Sequence, residues 1–210
     1  MKKLSILLLL LPLVLAGCKS KEDKAAELIK TELSKTLYDF ESYSPIETIV
    51  TEAKQSIYTD TVYLNTAKAM LYSFELASEY LEEAKEASER MDIWGKPTSY
   101  SSSYSDKQYY KYKEEWEENL EKATTYYDLV KVMSKSLKDS LQTIDTAKVV
   151  GWEVKHRFRC KTKGGHSTIG DYRYVINKDF TEIIIYEDTD NKDYKKLREL
   201  VEEVMDWDLE

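Results

Sequence analysis

Val150-Gly151-Trp152-Glu153-Val154-Lys155-His156-Arg157-Phe158-Arg159-Cys160 is the stretch that separates this chain from an all-helical protein. Val150, Trp152, Val154, His156, Phe158 and Cys160 stand at every second position, with Glu153, Lys155, Arg157 and Arg159 between them. Side chains on a strand alternate between faces, so the pattern predicts a long antiparallel strand, packed on one side and solvated on the other. Gly164-Gly165 ends it. Tyr172 to Ile176 predicts a second strand, Asn177-Lys178-Asp179 a turn, and Phe180 to Tyr186 a third. After a cap at Asp190 or Asn191, Tyr194, Leu197, Leu200, Val201, Val204 and Met205 form an apolar stripe. That stripe predicts a C-terminal helix across the inner face of a three-stranded meander.

Upstream the interval is helical. Ile29, Leu33 and Leu37 predict a first amphipathic helix ending near Asp39. Ser44-Pro45-Ile46-Glu47 joins a capping serine, a first-turn proline and a glutamate, and predicts a short second helix to about Ile57. Asp60 is a further cap. From there to about Met91, Ala67, Phe74 and Leu81 recur every seven residues, accompanied by Leu64, Met70, Ala77 and Ala84; from about Ser105 to Ile144, Trp116, Ala123, Val130, Leu137 and Ile144 do the same, with Leu120, Tyr127 and Leu141 four residues behind. Gly95, Pro97 and a serine cluster between the runs must reverse the chain. The expected class is therefore α+β. N-terminal helices and a long, coiled-coil-like antiparallel hairpin (residues 25–146) precede a β-β-β-α module (residues 147–210).

The N-terminus carries the strongest motif. Lys2 and Lys3 precede an apolar run from Leu4 to Leu15, and Leu15-Ala16-Gly17-Cys18 closes it. About a dozen apolar residues fall short of the roughly 20 that span a bilayer, whereas charge, apolar run and small residues fit a cleaved signal peptide over residues 1–17. The Leu-Ala-Gly-Cys order resembles the lipobox of bacterial lipoproteins, which implies diacylation of Cys18. Residues 18–24 are expected to form a lipidated tether, and the covalent lipid is the only prosthetic group expected. More than one acyl chain holds a protein stably on a membrane without spanning it.

Loss of Lys2 and Lys3 takes the 31 basic residues to 29 against 39 acidic, and the net charge from −8 to −10. An acidic surface argues against nucleic acid as a partner. Cys18 and Cys160 are the only cysteines. With Cys18 acylated, Cys160 is a lone thiol and is expected to be buried.

The phrases Ser42-Tyr43-Ser44-Pro45-Ile46-Glu47-Thr48, Ser56-Ile57-Tyr58-Thr59-Asp60, Gly151-Trp152, His156-Arg157-Phe158-Arg159-Cys160, Gly164-Gly165 and Gly170 resemble small uncharacterised lipoproteins of Bacteroidetes. Lys21-Glu22-Asp23 is similar to the short export tags of surface-exposed members of that group. Position 19 lacks the aspartate that resembles an inner-membrane retention signal. The resemblance implies an outer-membrane, lipid-anchored location, with either a periplasmic or a surface orientation, and carries no activity with it.

Catalytic signals are sparse. His156 and Cys160 share a strand face, but four residues at about 3.3 Å each separate their backbones by some 13 Å, too far to share one metal ion. His166 in the glycine loop could complete a thiol and histidine hydrolase site, the enzymatic alternative. Lys163 to Thr168 lacks the spacing of a phosphate loop. Asp188 to Asp193 departs from a calcium loop, since Lys192 stands at a ligand place and Asp193 where glycine belongs. No catalytic or metal residues are therefore expected. Two surfaces are candidates for binding a protein partner or a glycan. Trp94, Tyr100, Tyr104, Tyr109 and Tyr110 gather at the hairpin tip, and Lys155, Arg157, Arg159 and Arg173 make a basic stripe on the sheet. Pairing of that stripe with Glu153 and Glu182 is its plainer reading. The expected role is that of a non-enzymatic interaction or envelope-assembly module, with a glycan-binding accessory protein as a further alternative.

Overall fold

A computed structural model of the chain describes residues 19–206. The expected signal peptide and Cys18 lie outside the described residues, as do residues 207–210. The chain forms two compact units that interleave in sequence: residues up to Lys54 with Val149–Asp190, and Gln55–Lys148 with the residues from Asn191 onward. This replaces the expected contiguous division after residue 146.

The first unit contains helix α1 (Lys21–Thr36) and a four-stranded antiparallel sheet of β1 (Asp39–Lys54), β2 (Val149–Lys161), β3 (Ser167–Ile176) and β4 (Ile183–Asp188), in the order β1-β2-β3-β4. The expected short helix at residues 44–57 is instead the edge strand β1. Ser44-Pro45 does carry a cap signature, but Thr48-Ile49-Val50-Thr51 is a run of four β-branched residues, which lose rotamer freedom in a helix and pack well on a pleated surface. Pro45 sits where the β1–β2 register shifts. An edge strand at a bulge is where a residue without an N–H is tolerated.

The helix that covers the sheet is α1, not the C-terminal one. Ala25, Ile29 and Leu33 lie on one face at helical spacing and pack with Val154, Phe158 and Cys160 of β2 and Tyr174 and Ile176 of β3. Full burial of Ile29 makes its truncation to alanine worth about 2–5 kcal/mol. The start of α1 is fixed by a capping box: the Asp23 amide donates to Ser20 Oγ at 3.1 Å and the Ser20 amide to Asp23 Oδ2 at 3.2 Å. Residues 21–24, expected as tether, are thus the first turn of a helix.

The second unit consists of α2 (Thr61–Trp94), α3 (Ser103–Leu141) and α4 (Lys192–Asp206). The antiparallel arms of the hairpin are about 50 and 60 Å long at 1.5 Å per residue. Asp60 caps α2 by accepting from the amides of Val62 (2.9 Å) and Tyr63 (3.4 Å). Ala123, Val130 and Leu137 are buried at the expected heptad positions of α3. On α2 the expected Leu64, Ala67, Met70, Ala77 and Ala84 are buried, Phe74 is half-buried and Leu81 is 57 % exposed. The amphipathic α4 buries Leu197, Leu200, Val201 and Val204 within this unit, where Lys196 pairs with Glu75 and the Arg198 guanidinium lies 4.5 Å from the Tyr58 ring centre. An apolar stripe specifies that a helix needs cover but not which surface supplies it.

Gly151 is required by close approach. A Cβ at this position would collide with the backbone carbonyl of Ile176 in β3. Gly151→Ala is expected to lower stability by about 3 kcal/mol, the upper range for overpacking, read as a fall in the urea midpoint without a change in slope.

Candidate functional site

Two ring pairs form among the aromatic residues expected at the hairpin tip. Gly95 ends α2 with φ +68°, its amide donating to Met91 O at 3.0 Å. Thr98 to Ser101 forms a tight turn in which the Thr98 amide donates to Ser101 Oγ (3.0 Å) and the Ser101 amide to Thr98 O (3.2 Å). Ser102 caps α3 by accepting from the Ser105 amide at 3.1 Å, and Ser105 Oγ donates back to Trp94 O at 3.1 Å, tying one arm to the other. On this framework the Trp94 and Tyr104 rings meet edge to face at 5.5 Å, and Tyr109 meets Tyr110 likewise at 5.6 Å. Tyr100 is 98 % exposed, Tyr104 62 % and Tyr110 58 %, while Trp94 and Tyr109 are half-buried. Ile93, 79 % exposed beside Trp94, lies at the same end of α2.

The basic stripe divides. Lys155, Arg157 and Arg159 are exposed on β2. Glu47 of β1 and Asp171 of β3 flank Arg157 in register, so acids interrupt the stripe. Arg173 is buried. Its Nε and Nη2 donate to Glu153 Oε2 at 3.0 and 2.7 Å, and Nη1 donates to Glu187 Oε2 at 2.9 Å. Cross-strand pairing therefore engages Glu153 as the plainer reading had it, with Glu187 rather than Glu182 as the second acid.

His156 and Cys160 occupy the packed face of β2 but serve different neighbours. His156 is fully buried; its Nε2 is 2.9 Å from the Tyr43 hydroxyl and its Nδ1 2.9 Å from the Thr48 hydroxyl. In the neutral ring one nitrogen donates and the other accepts, so both hydroxyls hold the imidazole in place. Its ring stacks on Phe158 at 5.7 Å, and Phe158 stacks on Tyr172 at 5.5 Å. Burial drives the His156 pKa down to about 4, against an opposing pull from Asp171. Burial likewise raises the Cys160 thiol, assisted by Asp39, which lowers the thiolate fraction that nucleophilic chemistry needs. His166 lies exposed in the β2–β3 turn, where its carbonyl accepts from the Thr162 amide at 2.9 Å. Among the described residues no group of three or more His, Cys, Asp or Glu side chains could hold a metal ion.

One further cluster escaped the sequence reading because Trp152 fell on the apolar register of β2 and was counted as core. Its half-buried ring stacks on Phe180 at 5.5 Å, and the Lys21 ammonium stands 3.7 Å from the indole centre. Trp152 Nε1 donates to Lys178 O at 3.0 Å. Phe180 takes φ +57°, a left-handed conformation uncommon for a bulky residue, within a turn closed by Asn177.

No family model matches the chain, and no curated protein or solved structure matches it.

The buried imidazole gives unit one a defined acid response. Unfolded, His156 takes up its proton near pH 6.5; folded, it resists until about pH 4. Between these values the unfolded chain binds more protons, so this contribution is complete above pH 6.5 and disappears as pH falls toward 4. His156→Phe is expected to flatten the wild-type loss of stability across that window by about 3 kcal/mol, measured by urea titrations at matched pH values.

Proposed function

We propose that this protein is a lipid-anchored envelope lipoprotein, held through Cys18 at the outer membrane, whose helical hairpin presents its tip to a protein partner. The observation that carries the reading is the cap of Ile93, Trp94, Tyr100, Tyr104 and Tyr110, three of its members more than half exposed tyrosines, on a turn tied by side-chain hydrogen bonds. Rigid aromatics cost little entropy on docking and supply the large contact area typical of binding hot spots. A buried thiol with a raised pKa and an imidazole occupied at both nitrogens support a non-enzymatic role over a hydrolase. The likeness to small Bacteroidetes lipoproteins supports the location.

A glycan ligand is the second reading, favoured by the corner that Trp94 and Tyr104 make at an interplanar angle of 80° among serine hydroxyls. Aromatic faces of this kind pack on sugar rings.

A photo-crosslinking amino acid placed at Tyr100 in living cells is expected to trap one discrete protein adduct, absent when the same group replaces exposed Lys155. Trp94→Ala with Tyr104→Ala should reduce that adduct at least tenfold, as expected for the loss of two hot-spot residues. Equal adducts at both positions would show the tip to be an ordinary surface; binding to a polysaccharide array lost in the same double variant would select the glycan reading.

A further inference from the structure

The Trp152 cluster acquires a meaning from where the chain leaves it. Lys21, the first residue of α1, places its ammonium 3.7 Å from the Trp152 ring centre, and the Lys24 ammonium is 5.9 Å from that of Phe180. Only Lys19 and Ser20 separate Cys18 from this helix. Three residue steps reach at most about 11 Å, and Ser20 is already fixed as the helix cap, so a lipid on Cys18 leaves almost no slack. Whatever plane the lipid occupies, the Trp152 and Phe180 pair stands one lysine side chain beyond the end of that leash.

The residues are those suited to such a plane. Trp152 and Phe180 are stacked and half-buried, and an indole is the side chain most at home between hydrocarbon and water. Lys21, Lys24 and Lys178 are exposed around the pair and match lipid phosphates in charge. Phe180 takes left-handed backbone, and its ring stacks on Trp152. Both rings pack in part against the core of this unit, and the Lys21 and Lys24 ammoniums lie over them.

We propose that the Trp152 and Phe180 end of the first unit is a bilayer-contacting surface, which seats in the phospholipid headgroup layer and fixes the orientation of that unit on the membrane. This rests on the reading that Cys18 is acylated, and it adds a second contact to that anchor. The bilayer, rather than a partner protein, is the occupant because the length of chain to Cys18 brings the surface to it.

The test uses the full lipidated protein in vesicles of phosphatidylethanolamine and phosphatidylglycerol whose acyl chains are brominated near the headgroup. With Trp94, Trp116 and Trp207 replaced by Phe, the remaining Trp152 is expected to lose at least half its emission to the bromine. A control moves the single tryptophan to position 169, Ile169→Trp with Trp152→Phe. Ile169 pairs with Arg159, seven steps along β2 and thus about 23 Å from Trp152, and should be quenched far less. Radical footprinting of the wild-type protein needs no substitutions: Trp152 and Phe180 should be protected in vesicles relative to the same protein as the water-soluble Cys18→Ala form. Equal quenching at 152 and 169, or equal oxidation in both forms, while mass spectrometry shows the lipid on Cys18, overturns the proposed surface alone. A Cys18 found without lipid in cell membranes overturns the anchor and the surface with it.

Discussion

The pairing of β1 with β2 is the constraint on which the architecture depends. Thr48 and His156 lie 108 positions apart, yet they face each other across this ladder and share a hydrogen bond. Everything between β1 and β2 is consequently an insertion whose ends must return to one place, and the Gln55 amide, donating to Lys148 O at 2.9 Å, closes its base. Such a non-local pairing carries a loop-closure cost before any contact compensates, which predisposes the sheet to form after the helical hairpin, whose contacts are local. Burial of one aromatic-rich sheet face by Ala25, Ile29 and Leu33 offsets that cost.

The packed face of the first unit is unusual in how it handles polarity. His156, Tyr43, Thr48, Tyr172 and Tyr174 bring ionisable or hydroxyl groups into or beside the core, and burial pushes the tyrosines Tyr43, Tyr172 and Tyr174 upward and the histidine downward. All of these shifts favour neutral forms. A face built this way gains stacked and tilted ring pairs at 5.5–6.4 Å and hydrogen-bonded specificity without buried charge. The buried charge is found in β3 instead, where Arg173 is held by Glu153 and Glu187.

How far the chain could be read in advance follows from which signals were local. The alternation from Val150 to Cys160 and the long glycine-free runs of α2 and α3 depend on their own periodicity, and they appear within a few residues of the expected bounds. Position 44 was misleading because Ser-Pro-Ile-Glu satisfies the rules for a helix start, while the β-branched residues after it answer to a partner strand distant in sequence. Helices α1 and α4 each display a clear stripe, and nothing in a stripe distinguishes a sheet from a helical pair as its cover. At the candidate sites the tip aromatics were legible from composition beside a glycine and serine turn. Trp152 was hidden by occupying an apolar register, and its association with Lys21 and Phe180 joins three separate elements, which no window of sequence spans.

Pro45 has a consequence for molecules in company. β1 is the outermost strand on its side, sixteen residues of backbone along one border of the sheet. Such a border is a template on which a neighbouring copy can add a strand and start a fibre. Pro45 brings no N–H to it, the bulge beside Pro45 breaks its straightness, and exposed Glu41, Glu47, Glu52 and Lys54 put charge along it. Crowding raises the frequency of edge encounters between copies, and this one imino acid helps keep them from becoming permanent.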